Sequence, residues 1–270
     1  MSYAAQAAEN LIRIRSEKPL VHNITNFVVM NFTANALLAT GASPVMAHAD
    51  NEVEEMVGFA GALVLNIGTL TDIWVDSMVK AGKKAAESGT PVILDPVGAG
   101  ATSLRTNASR RLLAEIPVKI VRGNSSEILS LGGGQANTRG VDAGDSVEAA
   151  TAAAVKLADE LQTTLAVTGP EDLITDGSRA LRVANGHEFM PLVTGTGCAA
   201  TAIIGAFAAV EPDPLLAAAQ ALAFYGLAGE QAAVRADGPG SFSVALMDAL
   251  YHLSPEQLAE SARIMEARIG

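Results

Sequence analysis

The sequence is short of the features that would place it in an oxidising compartment, on a nucleic acid or in a membrane. A single cysteine, Cys198, among 270 residues cannot close an intrachain disulfide, so a reducing cytoplasm fits. Aromatic residues make up only 4%, too few for a base-stacking platform. Lys and Arg number 18 against 29 Asp and Glu, and the net charge of −11 leaves no basic face for a duplex. The opening M-S-Y-A-A-Q-A-A-E-N has no basic segment followed by an apolar core, so it does not read as a signal peptide. No run of about 18 or more residues is free of polar breaks in the manner of a membrane span. There is no G-x-x-x-x-G-K-[ST], which excludes a P-loop, and no His/Cys set with zinc spacing. These absences leave a soluble cytoplasmic protein with neither nucleic acid nor membrane as partner.

What is present is core-forming sequence, 49% hydrophobic and 17% charged. The continuous apolar run at 62–67 reads as a strand buried on both faces of a parallel sheet, 91–94 as another buried strand, and 20–24, 118–121 and 165–167 as further strands. Between them lie helical stretches at 27–39, 71–88, 103–115 and 146–161, several opened by Ser, Thr, Asp or Asn and closed by Gly. Asp176-Gly177-Ser178 marks a hairpin between 172–175 and 179–184. Helices follow at 198–210, 214–236, 240–252 and 256–268. The glycine-rich, aperiodic stretch Gly132–Gly144 reads as a mobile surface loop. With no repeat or linker, residues 1–270 are expected to form one α/β domain, a mostly parallel sheet between helical layers.

The organising stretch is V-T-G-T-G-C-A-A-T-A-I-I-G at 193–205. A Gly-rich turn opening a helix presents unpaired N–H groups and the positive end of the helix dipole, a place for phosphate. Cys198 in the first helical turn is expected to have its thiolate stabilised. Ligands of parallel sheets bind at the carboxyl ends of the strands. Those ends here carry Asn23, Thr25 and Asn26; Met46 and His48; Asn66; Asp95; Arg122 with Glu127 one turn on; and Thr168. Each also has a plain structural reading. Asp95 and Asn26 suit turns, Glu127 complements a helix dipole, Arg122 could pair with a surface acid, and His22 and His48 suit structural roles. Together they match phosphoryl transfer from a nucleotide: carboxylates for Mg²⁺, a cation for phosphates and a helix N-terminus for the transferred group.

H-N-I-T-N at 22–26, G-A-S-P-V-M at 41–46, L-D-P-V-G-A-G at 94–100, R-G-N-x-x-E at 122–127 and G-T-G-C at 195–198 together resemble the hydroxyethylthiazole kinases of thiamine salvage. The resemblance is colinear from about residue 10 to 260. It implies a ribokinase-like fold, MgATP-dependent phosphorylation of the primary hydroxyl of 4-methyl-5-(2-hydroxyethyl)thiazole, and a homotrimer with active sites between subunits. It implies thiazole contacts at Met46, Asn26 and Gly195, and ATP contacts at Arg122, Thr168, Thr194 and Gly197. Asp95 and Glu127 match the acids near Mg²⁺ and the phosphates. Cys198 stands where most ribokinase-like enzymes carry a catalytic Asp, as a proton acceptor or positioning group. A nucleotide-dependent dehydratase on the same fold, another small-alcohol kinase, a non-catalytic nucleotide-binding scaffold and a cysteine hydrolase using His22, His48, His187 or His252 are the alternatives.

Overall fold

The computed structural model describes residues 1–132 and 147–269. Nine strands form one sheet in the order β2-β1-β3-β4-β5-β6-β7-β8-β9 among the described residues. Strands β1 (Leu20–Ile24), β2 (Ser43–Val45), β3 (Ala62–Asn66), β4 (Val92–Asp95), β5 (Ile120–Asn124) and β6 (Thr164–Thr168) run parallel. The last three, β7 (Asp172–Thr175), β8 (Ala180–Val183) and β9 (Ile264–Glu266), are antiparallel. The helices are α1 (Tyr3–Glu17), α2 (Met30–Thr40), α3 (Val53–Val57), α4 (Asp72–Ser88), α5 (Ser103–Glu115), α6 (Ser125–Leu129), α7 (Val147–Leu161), α8 (Thr196–Ala208), α9 (Pro214–Ala233), α10 (Pro239–His252) and α11 (Pro255–Ser261).

The apolar runs are continuous because successive residues face different cores. Val21, Ala62, Val64, Ile93 and Ile120 pack with α1, α2, α8, α9 and α10. Ile24, Leu63, Leu65, Leu94 and Val121 pack with α4, α5 and α7 on the opposite face. Helix α8 is apolar nearly all round and is accordingly embedded, with Phe207, Ile203 and Ile204 fully buried. It lies close to the sheet because Gly205 has no side chain: a Cβ there would meet Val64 Cγ2 at 2.8 Å. Because β1 to β6 are parallel, Ile24, Asn66, Asp95, Asn124 and Thr168 all end at one rim, with Asn66 beside Asp95 and Asn124 beside Thr168.

The α/β architecture agrees with the sequence reading, and three local expectations do not. The helix expected from Phe27 begins at Met30, because Asn26 Oδ1 accepts from the Val28 amide and holds residues 27–29 in a turn. The strand expected at 118–121 runs from Ile120 to Asn124, so Arg122 lies inside β5 rather than beyond it. The helix expected at 256–268 stops at Ser261, and Ile264–Glu266 instead add β9 to the sheet edge against β8. The stretch read as a mobile loop, Gly132–Gly144, lies outside the described residues except for Gly132. No helix among the described residues is long and apolar enough to cross a membrane.

Candidate active site

Asp95, the last residue of β4, is buried at the centre of the rim. Its Oδ2 accepts from Asn66 Nδ2 at 2.8 Å and from Thr201 Oγ1 of α8 at 2.9 Å, while Oδ1 has no partner among the described residues. Burial pushes its pKa up to about 6 against the pull of the Arg122 guanidinium. Asn66 extends the network. Its Oδ1 accepts from Asn26 Nδ2 at 2.8 Å, and its Nδ2 also donates to Cys198 Sγ at 3.2 Å. Asn26 Nδ2 reaches the same sulfur at 3.6 Å.

Two side chains donating to the sulfur would favour a thiolate. Burial outweighs them, Asp95 adds to it, and together they push the Cys198 thiol up to about 12. The expectation of a stabilised thiolate is therefore overturned. Desolvation and the neighbouring carboxylate outweigh the Asn66 and Asn26 donors and the Arg122 charge, and the residue is a neutral thiol at neutral pH.

Arg122 enters from β5. Its Nη2 donates to Thr168 Oγ1 at 2.7 Å, and its Nε has no partner among the described residues. The guanidinium rests on the first turn of α8, where a Cβ on Gly197 would meet Nη1 at 2.7 Å. A cation thus sits against the positive end of a helix dipole, and the two repel unless an anion lies between them. Glu127 stands in the first turn of α6, as its plain dipole reading had it, and also closes a capping box with Asn124. Its Oε2 accepts from the Asn124 amide at 3.0 Å and its Oε1 from the Gly98 amide at 2.8 Å. It thereby fastens the loop after β4 to the start of α6.

These groups line a cavity of about 790 Å³ that contains Asp95, Arg122, Glu127, Thr168, Gly197 and Cys198. The other expected residues lie outside its lining. Asn26 touches the site only through Asn66 and Cys198. Gly195, at φ +93°, starts α8 and backs onto Val29 and Phe32. Thr194 is exposed in the same turn, and Met46 is half-buried just past β2. A second cavity, about 600 Å³, opens at the amino ends of the strands beside Gly61, Lys119 and Glu211, away from this chemistry.

Sequence reasoning missed Asn66 as an anchor, Thr201 as its counterpart, and Tyr225 and Asp172 in the lining. Thr201 carried a signal, since it stands three residues after Cys198 on the same side of a helix. Tyr225 carried none, because it reaches the cavity from a helix distant in sequence, and Asp172, four residues after Thr168, read only as the start of a hairpin strand.

The profile of the hydroxyethylthiazole kinase family matches residues 11–256. This chain belongs to that family. It is an enzyme, a transferase of the kinase class. It is 64% identical over 261 residues to a hydroxyethylthiazole kinase from Desulfotalea psychrophila, an overlap covering 97% of this chain and 96% of that one. The solved hydroxyethylthiazole kinase from Pyrococcus horikoshii superposes with a TM-score of 0.90 at 48% identity, covering 97% of this chain and 99% of the other. A ribokinase-like superfamily protein from Enterococcus faecalis shares the fold alone, with a TM-score of 0.66 at 13% identity over 93% of this chain and 94% of its own. The ribokinase-like fold expected from the motifs is thus the fold of this chain.

Asp172 yields a prediction. Its Oδ1 accepts from the Gly169 amide at 3.0 Å, and burial raises its pKa from 3.8 to about 6. The folded state therefore holds this proton more tightly than the unfolded chain does. The stability it contributes in acid is lost as pH rises through about 6. Asp172→Asn keeps an acceptor for Gly169 and removes the buried charge. The variant should be more stable than wild type at pH 7.5, by at most about 3 kcal/mol. The gap should close toward pH 4 in denaturant titrations, and a pH-independent gap would show that ionisation is not the cause.

Proposed function

We propose that this chain transfers the γ-phosphoryl group of ATP to the primary hydroxyl of 4-methyl-5-(2-hydroxyethyl)thiazole, as in thiamine salvage. The observation that carries this reading is the Arg122 guanidinium packed on the N-terminal turn of α8 at Gly197, beside Asp95. Two positive features call for an anion, and a buried carboxylate with one free oxygen calls for a cation. A metal–nucleotide supplies both.

The residues fit Mg²⁺. Asp95 Oδ1 lacks any partner and would hold it, with Glu127 reaching it through water, since both Glu127 oxygens already accept from backbone amides. When bound, the ion supplies charge neutralisation to the phosphates. Arg122 and Thr168 hold phosphate oxygens, and the N–H groups at Gly197 and the turn from Thr194 favour the transferred group as its charge spreads. The acceptor hydroxyl lies near Cys198, with Asn26, Met46 and Gly195 on the thiazole side. The hydroxyl oxygen attacks the γ-phosphorus as the bond from phosphorus to the β-phosphate oxygen breaks and ADP leaves, the hydroxyl proton passes to water or to the transferred phosphoryl group, and no bond to sulfur forms. A thiol at about 12 keeps its own proton, so Cys198 positions the hydroxyl rather than acting as a ready base.

Met46, Asn26 and Gly195 lie outside the cavity lining of the single chain, which supports a homotrimer whose thiazole sites are completed by a neighbour. Phe27 and Val28 beside Asn26 are 63% and 68% exposed, and Val244 and Tyr251 are exposed on α10, which packs on α2. An apolar face of this kind favours association. A cytoplasmic setting suits the single thiol.

Incubation with MgATP and the thiazole alcohol should give the phosphomonoester. Loss of water from a substrate, or hydrolysis in place of transfer, would favour the dehydratase or the hydrolase instead. Arg122→Ala should lower kcat/KM for ATP about 10- to 100-fold, the scale of one or two charged hydrogen bonds, with little change in Tm. A large fall in Tm with normal ATP kinetics would make the residue structural.

Cys198→Asp should remain active, and Cys198→Ala and Cys198→Ser should fall by no more than about 10²-fold, the low end of a general-base effect. Rates more than about 10⁴-fold down in Ala and Ser, with intact binding, would restore the base reading, and a phosphocysteine seen by mass spectrometry would replace it with covalent transfer.

Sedimentation should give three times the chain mass, and a monomer active at that concentration would remove the shared-site reading.

A further inference from the structure

Helix α9 contributes one wall of the cavity through Leu222, Tyr225 and Gly226, which share a face at helical spacing. Tyr225 is the polar side chain of that face. It is 2% exposed, and its hydroxyl has no hydrogen-bond partner among the described residues. Phenylalanine would fill the same volume without a buried hydroxyl to satisfy. A hydroxyl kept at such a place points to a partner that arrives from outside.

The chemistry of the neighbours narrows what that partner is. Arg122 is the charge that acts most strongly on Tyr225, and Cys198 follows. A guanidinium has only donors, so it cannot accept the phenolic proton. Arg122 Nε is itself a buried donor without an acceptor. Two unmet donors therefore share one cavity, on the side where Gly197 opens α8. An oxygen-rich anion satisfies both, whereas an apolar ligand satisfies neither and a cationic one leaves Arg122 Nε unmet. Asp95 Oδ1, the unmet acceptor of the same cavity, is of the opposite character and suits a cation.

We infer that the Tyr225 hydroxyl is a nucleotide-phosphate donor that makes its hydrogen bond only in the loaded site. This rests on the ATP reading above. Burial pushes the phenol well above its ordinary value, so it stays protonated and able to donate throughout the working range. Tyr225 thereby joins Arg122 and Thr168 around the phosphates, from a helix that none of the sequence motifs includes.

The test is Tyr225→Phe, titrated calorimetrically with the non-hydrolysable analogue AMP-PCP in Mg²⁺ and, separately, with the thiazole alcohol. Binding of the analogue should weaken about 5- to 20-fold, and KM for ATP should rise in step. Thiazole affinity should stay unchanged, and Tm should be equal to or above wild type, because the variant removes an unmet polar group. A structural hydroxyl would move Tm the other way. In a cycle with Arg122→Ala, the two losses should be less than additive, as expected for donors on one anion. Equal analogue affinity in wild type and Tyr225→Phe overturns the proposal and leaves the ATP reading intact. A wild type that fails to bind the analogue overturns both. Unfolding or a marked fall in Tm of the phenylalanine variant also overturns it, since the hydroxyl would then serve the fold.

Discussion

The site depends on how Asp95 is held. One carboxylate oxygen accepts from an amide on the neighbouring strand and from a hydroxyl on α8, and the other oxygen is left bare. The two bonds connect β3, β4 and α8, so the helix that offers its N-terminus to the cavity is registered against the acid that faces it. A buried carboxylate with no such support would simply protonate. With two donors and a nearby guanidinium its pKa rises only to about 6, so it is mostly ionised near neutral pH.

Around that anchor the charges are arranged in tension. Arg122 presses on the positive end of α8, and Asp95 presses on Cys198. Neither arrangement favours the empty chain, and a bound anion would relieve the first. This is preorganisation in the electrostatic sense: the dipoles and charges are fixed before the reacting group arrives, so little reorganisation accompanies transfer. The thiol pays the consequence of the second, since a residue at a helix N-terminus would normally ionise more easily.

Much of this was legible in the sequence because it depends on local pattern. Buried parallel strands must be apolar on both faces, and their runs at 62–67 and 91–94 announced β3 and β4. The rule that ligands meet strand ends then picked out Asp95, Arg122 and Thr168, all of which line the cavity. What failed was non-local. The state of Cys198 is set by burial and by Asp95, more than a hundred residues earlier, and the local motif announces neither. The last strand forms because β8 offers an open edge to residues 264–266, which local periodicity assigned to a helix. Tyr225 sits in an Ala-rich helix with no motif, and only the fold brings it into the cavity that Arg122 lines. Met46, Asn26 and Gly195 were named by resemblance, and the cavity of one chain does not include them.

The central claim is that the bare oxygen of Asp95 is the cation-facing half of a metal–nucleotide site. It is tested most directly by comparing ATP binding with Mg²⁺ and with EDTA, in wild type and in Asp95→Asn. The substitution keeps an oxygen for Asn66 and Thr201 and replaces the bare carboxylate oxygen by an amide. The account predicts that Mg²⁺ tightens ATP binding in wild type and does so far less in Asp95→Asn, while thiazole affinity and Tm are retained. An equal Mg²⁺ effect in both proteins would contradict it.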